Sequence, residues 1–135
     1  MNNVINLQDP KVNEFMQNLN MFTGTSQYFK HPLVHNYCYT DGTRYFFEKC
    51  SGGAYWFNDI VATEIAPLME KHDFLVVFLY VKDKKAIITA SDGNDATSPT
   101  LFEREIEFTD AFPGTWKFYM QKSGERTVFF LPSEY

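Results

Sequence analysis

Apolar side chains at helical spacing predict a short helix near the start of the chain. Val12 and Phe15 begin this pattern, which extends over about residues 10–20. Asp9 can cap the free N–H groups of such a helix, and Pro10 suits its first position because no N–H partner is needed there. We expect the apolar stripe of this helix to face the core.

A longer amphipathic stretch predicts the main helix over 54–71. Two glycines, Gly52 and Gly53, precede it and allow a sharp turn after the preceding element. Pro67 lies inside the stretch, where proline removes a backbone hydrogen bond at a cost of about 3 kcal/mol. We therefore expect this helix to kink at Pro67, or to stop before it and restart.

Between the two helices the pattern favours a short turn and a hairpin. Residues 27–30 are expected to form a short helical turn that ends at His31, because His31 precedes a proline. Residues 34–39 are typical of a strand. The segment 40–43 contains Asp-Gly, a strong hairpin signal, and residues 44–49 would then return as the partner strand.

The second half of the chain is predicted to be strands. Residues 74–81 form a continuous apolar run that suits a central strand. In 101–108 a period of two places glutamates on one face, which we expect to be solvated. Further strands are expected at 86–90, 116–121 and 127–131. Tight turns make antiparallel neighbours. The predicted fold is therefore α+β, an antiparallel sheet of about six or seven short strands packed on one main helix, with a short N-terminal helix.

Length and composition agree with one domain. The 135 residues suit a single domain over 1–135, in which the polar residues 1–8 are expected to be disordered. Fourteen Phe, eight Tyr and two Trp bring aromatic residues to 18% of the chain. We expect these rings to fill much of the core, with some of them lining a pocket or an interface.

Charge and hydropathy argue against some function classes. A formal net charge of −5 argues against direct nucleic-acid binding, which relies on neutralising phosphates. The chain has no run of eighteen apolar residues that would predict a membrane span, and its start shows no secretory signal. We therefore expect a cytoplasmic protein whose two cysteines, Cys38 and Cys50, are reduced thiols.

Several short motifs occur along the chain in order. They are Phe22-Thr23-Gly24-Thr25, Tyr39-Thr40-Asp41-Gly42, Gly53-Ala54-Tyr55-Trp56, Asp92-Gly93-Asn94 and Leu131-Pro132-Ser133-Glu134-Tyr135. With these motifs the chain resembles, from about Leu19 to Tyr135, a family of small bacterial proteins of unknown function that phages and plasmids also carry. The resemblance implies a bacterial or phage setting and a cytoplasmic location. It implies no activity, because none is assigned to the family.

Four side chains of the kinds that bind zinc lie within twenty positions. They are His31, His35, Cys38 and Cys50. Their spacing matches no zinc-finger or ribbon signature, and on the expected strand His35 and Cys38 point to opposite faces. We predict no metal and no cofactor, and whether these four residues bind a metal stays open at this point.

A small hydrolase is the alternative function. His31 with Asp41 or Asp92 would supply general acid–base chemistry, and Asp59 and Asp95 are further candidate carboxylates. However, Asp41 and Asp92 each precede glycine in an expected turn, where Asp is favoured for backbone reasons alone. The chain has no nucleophile-elbow, phosphate-loop or zinc-protease motif. We therefore favour a protein that is not an enzyme and assign no catalytic residue.

The best candidate for a binding site lies near the two glycine-marked turns. Free N–H groups at the expected short helix after Gly24, with hydroxyls beside them, would hold an anion. Aromatic rings would stack on a base, and an arginine would pair with a phosphate. The predicted ligand-binding residues are Thr23, Thr25, Tyr28, His31, Arg44, Tyr55 and Trp56. The alternative for each residue is a role in a capped turn or in the core.

From these signals we expect a non-catalytic binding protein of bacterial, phage or mobile-element origin. Its target would be a host protein or a small anionic, nucleotide-like ligand, and one form of this function is interference with host defence. Sequestration of a nucleotide by a homodimer or larger oligomer would suit the aromatic content. The segment 131–135 is expected either to dock on the body of the protein or to present a carboxylate and a ring to a partner. We favour docking, at a homodimer interface, because the apolar residues 129–131 lead directly into the segment.

Overall fold

Seven strands form one sheet that carries the rest of the structure. The computed structural model describes residues 9–93 and 98–135. The strands are β1 (Tyr28–Lys30), β2 (Tyr37–Thr40), β3 (Phe74–Lys82), β4 (Lys85–Ser91), β5 (Thr100–Ile106), β6 (Gly114–Ser123) and β7 (Arg126–Phe130). Their order across the sheet is β1-β2-β7-β6-β3-β4-β5. Neighbours are antiparallel, except that β2 and β7 are parallel.

Within the described residues, three α-helices accompany the sheet. They are α1 (Pro10–Leu19), α2 (Asp41–Lys49) and α3 (Tyr55–Ile60). A π-helical turn (Val61–Ile65) and a 3₁₀ turn (Ala66–Glu70) continue α3, and a second 3₁₀ turn spans Pro132–Glu134. No helix among the described residues is long and apolar enough to cross a membrane. The predictions for residues 1–8 and for Asn94 and Asp95 lie outside the described residues.

The α+β class and the mostly antiparallel sheet are confirmed, and so is the first helix. The side chain of Asp9 accepts a hydrogen bond from the Lys11 N–H at 2.9 Å, and Pro10 occupies the first helical position. Val12 and Phe15 are buried, so the apolar stripe of α1 faces the core as expected.

The predicted hairpin around 40–43 is wrong, because this segment starts a helix. Thr40 caps α2: its Oγ1 accepts from the Thr43 N–H at 3.3 Å, and Thr43 Oγ1 accepts from the Thr40 N–H at 2.9 Å. Phe46 and Phe47 then lie on the buried face. Residues 44–49 are therefore helical, and their two adjacent phenylalanines belong to a helix face.

The helical turn predicted over 27–30 is also wrong. Residues Tyr28–Lys30 form the edge strand β1, which pairs antiparallel with β2 in the register Tyr28 to Thr40 and Lys30 to Cys38. The expected binding site at a helix N-terminus after Gly24 therefore has no helix to provide it.

The predicted main helix is present but changes its geometry along its length. Residues 55–70 pass from α-helix through the π-turn into the 3₁₀ turn that contains Pro67. A proline cannot donate the backbone hydrogen bond that a regular α-helix needs at that position. The expected disruption at Pro67 is thus real, and it takes the form of a change in helix type.

Aromatic rings fill the centre of the core between the helices and the sheet. Phe46 is fully buried, and its ring centroid lies 5.0–6.4 Å from five other ring centroids. These neighbours come from α1, α2, α3 and β6, and they are Phe15, Phe47, Phe57, Trp116 and Phe118. Phe46 therefore joins all three helices to the sheet.

Replacing Phe46 with alanine tests this central role. We expect Phe46→Ala to lower the free energy of unfolding by about 3–5 kcal/mol, since it removes buried ring area and leaves a cavity. The matched control is Phe108→Ala, because Phe108 is 71% exposed, and its effect should stay within about 0.5 kcal/mol. Denaturant unfolding measures both, and similar losses in the two variants would contradict the assignment.

Candidate functional site

The seven predicted ligand-binding residues do not form one site. Thr25 and Tyr28 line a groove beside Glu134, whereas Arg44 and Tyr55 lie in a separate surface patch with Glu48. The other three are apart: His31 is buried against Asp59, Trp56 is half-buried beside Phe57, and Thr23 is exposed.

The N-terminus of α2 is occupied by an anionic group of the chain itself, a glutamate side chain. The carboxylate of Glu134 lies at the start of α2. Its Oε1 accepts from Thr40 Oγ1 at 2.7 Å and from the Leu131 N–H at 2.9 Å. Its Oε2 accepts from the Gly42 N–H at 3.2 Å and from Thr25 Oγ1 at 3.4 Å. Charge and hydrogen bonds both favour a carboxylate at this position.

Gly42 is required for this close approach. A Cβ atom at Gly42 would lie 2.7 Å from both Glu134 Cδ and Leu131 Cδ1, which is too close for any real contact. Three of the sequence motifs therefore meet here, since Thr25, Thr40 and Glu134 belong to different ones. Their shared position assigns them a structural task, namely fastening the C-terminal segment to α2.

The environment of Glu134 alters its ionisation. Burial raises the pKa of Glu134 above its ordinary value, and the nearby Asp41 adds to this effect. The hydrogen bonds from Leu131, Thr40 and Gly42 act in the opposite direction. Because both carboxylate oxygens already accept hydrogen bonds within the chain, Glu134 is poorly placed to bind a ligand.

The groove beside Glu134 is small and lacks basic groups. Its volume is about 220 Å³, below the roughly 300 Å³ from which ligand pockets usually start. The residues that line it are Thr25, Tyr28, Thr40, Gln121, Ser123, Val128, Phe130, Glu134 and Tyr135. With an acidic group and no Lys or Arg in this lining, the groove does not suit a nucleotide-like anion.

The charge of Arg44 is already paired within its surface patch. Arg44 Nε lies 3.2 Å from Glu48 Oε2, and the Tyr55 hydroxyl donates to the same oxygen at 3.4 Å. The guanidinium carbon lies 4.5 Å from the ring centroid of Phe29, a cation–π contact. A phosphate would have to compete with Glu48 for this arginine.

His31 pairs with Asp59, and not with Asp41 or Asp92. Its Nε2 lies 2.8 Å from Asp59 Oδ1, and its Nδ1 accepts from the Leu33 N–H at 3.1 Å. Since Nδ1 is an acceptor, Nε2 carries the proton and donates to the carboxylate. Both ring nitrogens are therefore engaged, and neither is placed to take a proton from a nucleophile.

The four residues considered for zinc do not come together. Cys50 is fully buried, and its Sγ accepts from the Phe112 N–H at 3.4 Å, whereas Cys38 lies in β2 and His35 is exposed. Burial raises the pKa of Cys50 to about 12. In residues 9–93 and 98–135, no three His, Cys, Asp or Glu side chains are grouped as metal ligands.

The sheet carries a large aromatic surface that the sequence patterns did not predict. Alternate residues of β3, among them Leu75 and Leu79, share one core with the helices. The intervening side chains point to the other face, since successive residues of a strand alternate. We call this second surface the open face. Its central residues are Phe74, Phe78, Tyr80, Lys117, Tyr119 and Val128, with Val76 and Phe130 buried among them.

Rings on the open face pack against one another. The Phe78 and Tyr80 rings are stacked at 5.4 Å, and Tyr119 contacts Phe74 at 5.0 Å and Phe130 at 5.8 Å between centroids. The ring of Tyr135 folds back onto this cluster, 5.6 Å from Tyr119. This docking agrees with the position expected for the C-terminal segment. The unbroken apolar run of β3, which we predicted to be a central strand, is the signal that pointed to this surface.

Comparisons with known proteins show the family. The chain belongs to a family of unknown function, DUF6876, which matches residues 13–135. No curated protein matches the chain. A solved structure of a protein of unknown function from Enterococcus faecalis is similar at 18% identity with a TM-score of 0.37, and the match covers 61% of this chain and 73% of that one. The bacterial or phage setting stays a prediction.

Substituting Glu134 tests its role at the start of α2. Glutamine keeps one acceptor oxygen but turns an NH₂ group toward donors, so we expect Glu134→Gln to lower the free energy of unfolding by about 1–3 kcal/mol. The control is Glu125→Gln, at an exposed position in the β6–β7 turn, with an expected change within about 0.5 kcal/mol. Chemical denaturation measures both. An unchanged stability in Glu134→Gln would refute the role.

The raised pKa of Glu134 predicts how this loss depends on pH. A carboxyl with a higher pKa in the folded state adds stability below its unfolded value and loses that contribution as the pH rises through the folded value. The advantage of the wild type over Glu134→Gln should therefore be larger below pH 4.5 than at neutral pH. Unfolding curves across this range measure the difference, and an advantage that grows with pH would show that the sign is wrong.

Proposed function

We propose that this protein is a non-catalytic protein-binding domain and that the open face of its sheet is the binding surface. The observation that carries this proposal is the aromatic cluster on a face that α1, α2 and α3 leave uncovered, since all three lie on the opposite side. Tyr80 and Ile87 on this face are 39% and 38% exposed. Apolar and aromatic side chains at such a surface are typical of protein interfaces.

The shape of this surface supports a protein partner over a small ligand. A depression of about 430 Å³ adjoins the open face beside Tyr80, Ile87 and Thr115. All of its lining residues belong to the three neighbouring strands β6, β3 and β4, so no other element faces these strands across the depression. A small ligand would stay largely in water there, whereas a second protein surface would supply the missing wall. Of the two targets expected from the sequence, this geometry favours a protein.

The alternative hydrolase has no comparable support. It would need a histidine free to act as a base inside a cleft, and His31 has both ring nitrogens engaged with Asp59 and the Leu33 N–H. Interference with host defence is one biological setting for a protein-binding domain, and it stays a prediction from the family resemblance. The proposal itself depends on the open face alone.

A photo-crosslinking amino acid tests where the partner binds. We would place p-benzoylphenylalanine at Tyr80 on the open face and, as a matched control, at Tyr55 on the helical side, since these side chains are 39% and 40% exposed. Irradiation in cells that naturally express the chain should give a protein adduct at Tyr80 and none at Tyr55. Mass spectrometry would identify the adduct. The absence of any adduct at Tyr80 would overturn the proposal.

A further inference from the structure

We infer that the partner that covers the open face is a second copy of this chain. This inference rests on the proposed function, because it names the occupant of the same surface. The distribution of charge around the aromatic centre indicates this occupant. That distribution is complementary to itself, which is the property that a two-fold symmetric interface requires.

Basic side chains lie at one corner of the open face. Lys30 is opposite Cys38 in the β1–β2 register, and Cys38 is opposite Val128 in the β2–β7 register. Arg126 lies two residues before Val128 on the same face of β7. Lys30 and Arg126 are both exposed. The corner formed by the outer end of β1 and the start of β7 is therefore positively charged.

Acidic side chains lie at the diagonally opposite corner. Glu103 and Glu105 of the edge strand β5 are exposed and lie opposite Thr89 and Ile87 of β4. Lys85 lies next to Glu105 at the end of β4 and offsets part of this charge. Lys82, which is exposed and opposite Lys85 in the β3–β4 register, adds a second positive charge inward of these glutamates. The negative charge is therefore confined to the outer strand β5, where Glu103 and Glu105 are the charged residues on this face.

The centre between the two corners is apolar. The β3–β4 and β3–β6 registers place Phe78 and Tyr80 between the strands that carry the charges. Lys117 lies opposite Phe78, and its Nζ is 5.3 Å from the ring centroid of Tyr119, so its stem and charge lie along that ring. The face thus has an aromatic core and charged corners, which is the usual anatomy of an interface.

The proposed two-fold axis lies in the plane of the open face, perpendicular to the line that joins the basic and acidic corners. Rotation about this axis brings the acidic corner of one copy onto the basic corner of the other. It places Glu103 and Glu105 of each copy over Lys30 and Arg126 of the other, and it brings the two aromatic centres into contact. The strands of the two sheets then cross at about 90°, one of the two usual arrangements of packed sheets. Seven strands at about 4.8 Å spacing and about 20 Å in length give roughly 670 Å² of flat area per copy. Two such sheets crossed at about 90° overlap over roughly 400 Å², which corresponds to a small interface beside the ~800 Å² per partner of a standard one.

The test uses charge reversal in two variants that complement each other. The first variant is Glu103→Lys with Glu105→Lys, and the second is Lys30→Glu with Arg126→Glu. We expect the wild type to be a dimer. Each variant alone should dissociate at least about tenfold more readily, because like charges then face each other across the interface. An equimolar mixture should form a heterodimer, since one of its two corner contacts then has the native charges and the other has both signs inverted. Misfolded variants would not give this rescue.

Sedimentation velocity of the separate and mixed proteins provides the measurement. Glu14→Lys with Glu70→Lys is the control for the first variant. It makes the same change in net charge as Glu103→Lys with Glu105→Lys, but at exposed positions on the helical side. It should leave the dimer unchanged. A wild type that stays monomeric at every concentration would overturn the second copy as partner, and so would a mixture that does not dimerise. In either case, an adduct with another protein at Tyr80 would still support the proposed function.

Discussion

The carboxylate of Glu134 ties the C-terminal segment to the start of α2, and much of the structure depends on that contact. Glu134 accepts hydrogen bonds from a loop, from the end of β2, from the first turn of α2 and from its own turn, through Thr25, Thr40, Gly42 and Leu131. A helix N-terminus buried without partners would be costly. The interaction therefore satisfies α2 and also places Tyr135 over the rings of Phe74 and Tyr119.

This contact connects the two faces of the sheet. On the helical side, α2 carries Phe46 and Phe47 into the core, where they meet rings from α3 and β6. On the other side, the same C-terminal segment brings Tyr135 to the edge of the open face. A change at Glu134 would therefore loosen the core and the proposed interface together. For this reason, partner binding by any Glu134 variant is informative only alongside its stability.

Local patterns predicted the fold class, α1 and the strands of the second half, because each of these segments has one clear period. The prediction for the segment 40–49 was wrong, because the Asp41-Gly42 dipeptide favours a hairpin. The competing signal for a helix is a cap between Thr40 and Thr43. That cap depends on tertiary contacts as well: Gly42 is needed to admit Glu134, 92 residues further along the chain. A contact between residues so far apart in the sequence cannot be predicted from the local spacing of apolar and polar residues.

The candidate site was harder to predict than the fold, for a related reason. Polar and aromatic residues near turns attract a functional interpretation, yet Thr25, His31 and Arg44 all have partners within the chain. The open face gave the weaker signal, because an apolar run such as 74–81 is equally typical of a strand buried on both sides. Only the position of the helices distinguishes the two cases. Since α1, α2 and α3 share one side, half of an apolar strand is left for another surface to cover, and the charged corners indicate which surface that is.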